Sequence, residues 1–272
     1  MGALVYFFVP ALVGVLIGIA SGLLGIGGGT VMVPIFRLAF GMSATMSTAT
    51  SLFAIIPTSI SGAISHVKGK TCIPALGIAA GLGGACLSPV GVWLAQLSPD
   101  WLVMLAAALI IGYSAINMFK KAFKVPRAGQ PAAGVDAAAP IADDSSLSRK
   151  QLLQGAAIGL VAGLASGYVG VGGGFIMVPL MLSIVGIPMR KASGTSLIAV
   201  MILAIPGVIE QGIIGNINYL AGIAIVIGTI PGAVIGARLV TKVPERTLRL
   251  LFGCFLIVAA VMLVLNEVGI FG

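Results

Sequence analysis

Five glycines fall within eight residues, Gly22, Gly25, Gly27, Gly28 and Gly29, in SGLLGIGGGTVMVP (21–34), and the pattern returns as SGYVGVGGGFIMVP (166–179). Each glycine costs a helix about 1 kcal/mol relative to alanine, so neither stretch sustains a strong helix. A helix resuming at Thr30 or Phe175 would turn unpaired N–H groups and the positive end of its dipole toward the gap. Glycine also lets a ligand approach the backbone closely. The chemistry this suits is capture of an anion by Gly27, Gly28, Gly29 and Thr30 in one copy and by Gly172, Gly173 and Gly174 in the other. Glycines three to five residues apart also let membrane helices pack closely. That alternative suits Gly14, Gly18, Gly22, Gly25, Gly77, Gly81, Gly228, Gly232 and Gly236, but not three consecutive glycines.

A second constellation is ATSLF, containing Thr50 and Ser51, matched by GTSLI, containing Thr195 and Ser196. Paired hydroxyls early in a membrane helix can donate to an oxyanion, or they can bond their own backbone and cap the helix. Ser21 and Ser166 are weaker candidates of the same kind. Ionisable groups inside apolar segments are functional suspects. Glu210 is a candidate carrier of a coupling proton, at a helix end where water can also solvate it. His66, beside Lys68 and Lys70, reads as a loop residue, and Tyr113 and Asn117 rank low.

The elements that must position these groups follow from composition. Of 272 residues 59% are hydrophobic and 8% charged, where a soluble domain carries roughly a quarter charged residues. Residues 4–24, 73–97, 101–119 and 219–240 are long enough to cross a bilayer core, which takes about 20 apolar residues in a helix. No alternation of period two recurs, which speaks against a barrel and leaves helices to satisfy the backbone in lipid. The expected fold is an all-α polytopic membrane protein. The amino terminus lacks the positive region of a cleaved signal peptide and reads as a retained first helix.

Residues 21–36 and 166–181 share nine identities in sixteen, and the same offset of 145 pairs Thr50 with Thr195, Gly62 with Gly207 and Gly91 with Gly236. The chain reads as a duplication: a first repeat at 1–124, a flexible linker at 125–148 rich in Ala, Pro, Gly and Asp, and a second repeat at 149–272. Each repeat has a glycine-broken helical hairpin, as a re-entrant bend or two full crossings, followed by three transmembrane helices. These are expected near 46–66, 73–97 and 101–119, and near 193–213, 219–240 and 247–265. Lysine and arginine favour the cytoplasmic side in short loops. A cytoplasmic linker puts fourteen of the fifteen inside, all but Arg37, and makes the repeats inverted in topology with both termini extracytoplasmic.

Several function classes fall away. The net charge of +8 is spread in short clusters, without a basic domain for nucleic acid. Gly69-Lys70-Thr71 lacks the upstream glycine of a phosphate loop, since Ile64 stands there, and Thr30 replaces the last glycine of a dinucleotide fingerprint. One histidine and seven acids assemble no metal cluster or catalytic triad, so neither an enzyme nor a cofactor is expected. Cys72, Cys86 and Cys254, in apolar surroundings without a CxxC, read as small buried hydrophobes. Inverted repeats with interrupted helices point to secondary transport at a midplane site.

ASGLLGIGGGTVMVP with ATSLF, repeated as ASGYVGVGGGFIMVP with GTSLI, resembles the TauE/SafE family of sulfite and organosulfonate exporters over both halves outside the linker. The resemblance implies a bacterial or organellar inner-membrane permease moving sulfur-containing anions such as sulfite or small sulfonates. The expected partners are a small anionic substrate, the lipid bilayer and a coupling proton or ion. The alternatives are an anion channel, an uptake permease for another small anion, and a membrane scaffold whose linker binds partners.

Overall fold

A computed structural model of the chain describes residues 2–124 and 147–267, with side chains described for 10–123 and 147–265. The expected linker lies outside the described residues except for 147 and 148, as does the carboxy terminus at Gly272. The described chain forms helices α1 (Gly2–Leu24), α2 (Gly29–Phe40), α3 (Ala44–Lys68), α4 (Pro74–Leu97) and α5 (Asp100–Lys124). They are followed by α6 (Arg149–Val169), α7 (Gly174–Leu180) with a π turn at Met181–Val185, α8 (Met189–Ile214), α9 (Tyr219–Leu239) and α10 (Glu245–Glu267). Seven of them are long and apolar enough to cross a membrane: α3, α4, α5, α6, α8, α9 and α10. Large apolar side chains such as Leu12, Leu109 and Ile213 cover the outside of the bundle, where lipid rather than water is the solvent.

Helix starts are set by side chains that reach the first free N–H groups. Asp100 accepts from the Ala44 N–H at 3.3 Å and Glu245 accepts from the Met189 N–H at 3.2 Å. The two acids are 145 residues apart, and so are the helix starts that they cap. Ser148 and Gln151 form a capping box at the start of α6.

Glycine lets the helices touch backbone to backbone. A Cβ placed on Gly14, Gly18 or Gly22 of α1 would stand 2.1–2.5 Å from the Ile225, Thr229 or Ala233 carbonyl oxygen of α9. A Cβ on Gly159, Gly163 or Gly167 of α6 would stand 1.9–2.1 Å from the Ala80, Gly84 or Ser88 oxygen of α4. Every member of the first set lies 145 residues from its equivalent in the second, with the halves exchanged. Gly228, Gly232 and Gly236 pack on α1 in the same way, and Gly77 and Gly81 pack against Ile198 and Ile202 of α8.

These registers give the helix directions. Partners rise together along α1 and α9, and along α3 and α9, where Thr58 meets Thr229 and Gly62 faces Ala233. They also rise together along α4 and α6, and along α4 and α8, where Gly77 meets Ile198 and Gly84 meets Leu203. Along α3 and α8 they run in opposite senses, with Gly62 on Leu197 and His66 on Gly194. Thus α1, α3 and α9 run one way, and α4, α6 and α8 run the other.

Candidate functional site

Both glycine stretches break their helices. The first helix ends at Leu24 and resumes at Gly29, and the second ends at Val169 and resumes at Gly174, each one residue before the expected Thr30 and Phe175. Gly27 and Gly28 have φ of 82° and 88°, and Gly172 and Gly173 have 87° and 66°, left-handed values that side chains disfavour. Gly25, expected among the helix-packing glycines, packs on the Ser193 backbone of α8, where a Cβ would stand 2.4 Å from the carbonyl oxygen, and also lies in the break with φ of 75°, its N–H closing the end of α1 on the Ser21 carbonyl. Conformation, not packing alone, requires glycine at these positions.

The two breaks lie against each other. A Cβ on Gly29 would be 2.4 Å from the Val171 oxygen, and one on Gly174 would be 2.4 Å from the Gly25 oxygen. Between them stand Ile55 of α3 and Val200 of α8, both fully buried and again 145 apart. A Cβ on Gly27 would meet Val200 at 3.0 Å and Ile55 at 3.3 Å, and one on Gly172 would meet the same two side chains. These apolar residues escaped the sequence reading, although the offset pairs them.

The broken ends are sparsely capped. Gly28, the N-cap of α2, and Gly173, the N-cap of α7, provide no side-chain acceptor. Val31 and Met32 return to the Gly28 carbonyl, leaving Gly29 and Thr30 at the open end of α2. The hydroxyls of Ser21, Thr30, Ser51, Ser59 and Ser166 are buried without a hydrogen-bond partner among the described residues. Ser59 Oγ lies 3.5 Å from the Cβ position on Gly27, and Ser21 Cβ lies 3.6 Å from that on Gly28. No Lys, Arg, Asp, Glu or His occurs in 21–36 or 166–181. A buried hydroxyl left unpaired costs about 1–3 kcal/mol; Ser47 and Ser88 are unpartnered as well, but Ser21, Thr30, Ser59 and Ser166 adjoin the breaks and are donors there without an acceptor.

The Thr-Ser pairs divide their work. Thr50 accepts the Asn218 N–H at 3.0 Å and Thr195 accepts the Ile73 N–H at 2.9 Å, each at the start of a helix in the other half. Ser196 donates to the Gly25 carbonyl at 2.7 Å and so holds the first break, whereas its equivalent Ser51 has no partner. Thr50→Val and Thr195→Val keep the side-chain shape and remove the acceptor. Each is expected to cost about 1–3 kcal/mol of stability, read as earlier thermal unfolding of the detergent-purified protein.

His66 corrects the expectation of a loop residue. It is fully buried in the last turn of α3 and its Nε2 donates to the Gly22 carbonyl at 2.7 Å. Because α1 stops at Leu24, that carbonyl has no helical N–H to accept, and His66 replaces it. Nδ1 bonds the Thr71 hydroxyl at 2.7 Å. His66→Ala is expected to cost about 1–3 kcal/mol in thermal unfolding. His66→Gln is expected to recover part of it, since an amide N–H can reach the same acceptor and Gln211 stands at the equivalent position.

The cysteines also differ from expectation. Cys86 and Cys254 are exposed on the outer faces of α4 and α10, because a thiol is as compatible with lipid as with a protein interior. Glu210 stands near the end of α8, about 15 Å along the helix from Val200, with one carboxylate oxygen buried and unpartnered. It is therefore not at the breaks. Among the described residues no group of three His, Cys, Asp or Glu residues is placed to hold a metal.

A multi-pass helical bundle with two facing glycine breaks is the architecture of a membrane transporter. The family model for the sulfite exporter TauE/SafE matches residues 10–263, and the chain belongs to that family. It is 27% identical over 281 residues to the probable membrane transporter protein YunE of Bacillus subtilis, covering 97% of this chain and 99% of that one. A probable membrane transporter protein of Haemophilus influenzae is 29% identical over 275 residues, covering 94% and 97%. Arabidopsis thaliana sulfite exporter TauE/SafE family protein 3 is 26% identical over 164 residues, covering 58% of this chain and 31% of that one. No solved structure gives a significant match.

Proposed function

We propose that this membrane transporter exports a small sulfur-containing anion, sulfite or an organosulfonate, by alternating access at a midplane site between two inverted repeats. The observation that carries the reading is the pair of breaks in close contact, flanked by the buried, unpartnered hydroxyls of Ser21, Thr30, Ser59 and Ser166 and free of fixed charge. Backbone N–H groups at Gly27, Gly28, Gly29, Thr30, Gly172 and Gly173 would bind the anion, with Ser21, Ser51, Ser59 and Ser166 as hydroxyl donors, whereas the Gly174 N–H is taken by the Gly172 carbonyl at 2.8 Å and would shape the second break. Thr50, Thr195 and Ser196 would hold the frame around it. The name carried by the family model supports sulfite as the cargo.

The inversion, with repeats at 1–124 and 149–272 joined by a cytoplasmic linker, is supported by the helix directions. Equivalent helices α1 and α6, α3 and α8, and α4 and α9 run in opposite senses. Contact between the breaks supports a moving gate rather than a standing pore, since an anion can pass only if Gly29 and Val171 separate. Glu210, with its unpartnered oxygen, is the proposed carrier of a coupling proton.

Reconstitution into liposomes tests this reading. Saturable movement of sulfite or methanesulfonate that accelerates under an imposed pH gradient is expected, and Glu210→Gln should remove the acceleration. Absence of flux for every such anion under any gradient would sink it, and currents of single-channel size would replace it with a channel.

A further inference from the structure

A groove of about 750 Å³ lies on the outside of the bundle between α4, α5, α6 and α7, where Tyr168 and Ile176 flank the second break. Its walls are apolar, formed by Leu94, Ile110, Val161, Leu164, Ile176 and Leu180. Its rim is open to lipid, where Tyr113 and Val161 are 69% and 56% exposed. Polar groups gather toward one end, at Asn117, Lys121 and Ser183. From Ala106 to Lys121 the groove follows α5 for about 22 Å. That is one leaflet of a hydrocarbon core of about 30 Å, together with its interface.

Lys121 makes the groove selective. Its ammonium donates to the Pro179 carbonyl at 2.7 Å and to the Ser183 hydroxyl. An ammonium has three N–H donors, and the third has no partner among the described residues. No carboxylate lines the groove; Arg249 donates to the Lys121 carbonyl at 3.4 Å and is itself paired with Glu245, so that acid is already engaged by another cation. A cation at the interfacial end of an apolar channel of leaflet length matches a molecule with one anionic head and a long hydrocarbon tail.

We infer that this groove is a binding site for an anionic membrane phospholipid, with its phosphate on Lys121 and an acyl chain along the apolar wall. The site bears on the second break. Pro179 and Ser183, the two groups that Lys121 already holds, belong to α7 and the π turn that continues from it. In the first half the position equivalent to Lys121 is Asn266, which carries no ammonium, and α2 runs as regular α-helix to Phe40. A bound lipid would therefore steady the second break and leave the first unaffected.

Native mass spectrometry of the purified full chain, titrated with phosphatidylglycerol or with phosphatidylcholine of the same acyl composition, tests the site. Glycerol phosphate is a competitor that presents the headgroup alone. Phosphatidylglycerol is expected to be retained over phosphatidylcholine, with glycerol phosphate failing to displace it. Lys121→Gln should weaken that retention by about fivefold. Lys120→Gln removes the same charge from an exposed neighbour and should leave it unchanged. Val161→Trp fills the open rim, keeps Lys121 and should also weaken it, which serves if the lysine variant fails to fold. Equal retention of the two lipids, equal effects of the Lys120 and Lys121 variants, or displacement by glycerol phosphate would overturn the assignment.

Discussion

Adding one methyl group at Gly29 or Gly174 is expected to reduce transport at least tenfold while the protein still inserts and purifies. A Cβ at Gly29 stands 2.4 Å from the Val171 carbonyl oxygen and 2.6 Å from its carbon, and a Cβ at Gly174 stands 2.4 Å from the Gly25 oxygen. At Gly29 the Ile55 side chain also stands 2.6 Å away and can turn aside, but the remaining obstructing atoms at both positions are backbone, so the two breaks must separate. Overpacking of this kind costs about 1–3 kcal/mol, and about 1.4 kcal/mol is a factor of ten in a population. In the proposed alternating-access cycle the cost falls on the state in which the breaks touch, so that state is lost rather than the fold. Flux into liposomes, normalised to the amount of reconstituted protein, reads the effect. Gly29→Ala moving the anion at the wild-type rate would show that contact between the breaks plays no part in transport.

The largest expected loss of stability comes from Gly159→Val and Gly228→Val. A Cβ at Gly159 would lie 1.9 Å from the Ala80 oxygen and one at Gly228 would lie 1.8 Å from the Ala11 oxygen. These contacts tie α6 to α4 and α1 to α9, and so join the two halves. Helix association in lipid relies on close packing, since lipid tails are as apolar as the side chains that face them. Each substitution is expected to remove about 3 kcal/mol or more, at the upper end of overpacking, or to prevent recovery of folded protein. Gly112→Val in α5 is the control, because no atom lies within 4 Å of its Cβ position. Thermal unfolding in detergent distinguishes them, and equal behaviour at Gly112 and Gly228 would contradict the packing account.

Much of this architecture is legible in the sequence, for physical reasons. In lipid every backbone group must be satisfied internally, so an apolar run of about 20 residues has few alternatives to a helix. The apolar runs at 73–97, 101–119 and 247–265 therefore place α4, α5 and α10 within about five residues. Three consecutive glycines at one offset mark the breaks, since nothing in close helix packing asks for glycine three times in succession. Burial is another matter. Lipid and protein interior are equally apolar, so the sequence does not separate Ile55 and Val200, at the centre, from Leu109 and Ile213, on the outside. The same lack of contrast hid the exposure of Cys86 and Cys254. His66 was misread because its neighbours Lys68 and Lys70 signal a loop, whereas its partner is the Gly22 carbonyl, 44 residues away and freed only by the break.

The hydroxyls were legible as a class but not one by one. Thr50 and Thr195 look like ligands by type and position, and each oxygen also accepts a backbone N–H at a helix start in the opposite half, a framing role that type and position do not reveal. Ser21 and Ser166 looked weaker, yet they are the one equivalent pair flanking the breaks whose two hydroxyls are both without a partner among the described residues. Substituting the threonines would therefore disturb the frame, whereas substituting these serines removes unused donors.

Isothermal titration of sulfite and methanesulfonate into the purified protein, with the Ser21→Ala/Ser166→Ala double variant beside it, tests the central claim most directly. A hydrogen bond to a charged group is worth about 1.5–3 kcal/mol, so the wild type should bind saturably and the variant at least tenfold more weakly with unchanged thermal stability. Binding of equal strength in both proteins, or none in the wild type, would contradict an anion site between the breaks.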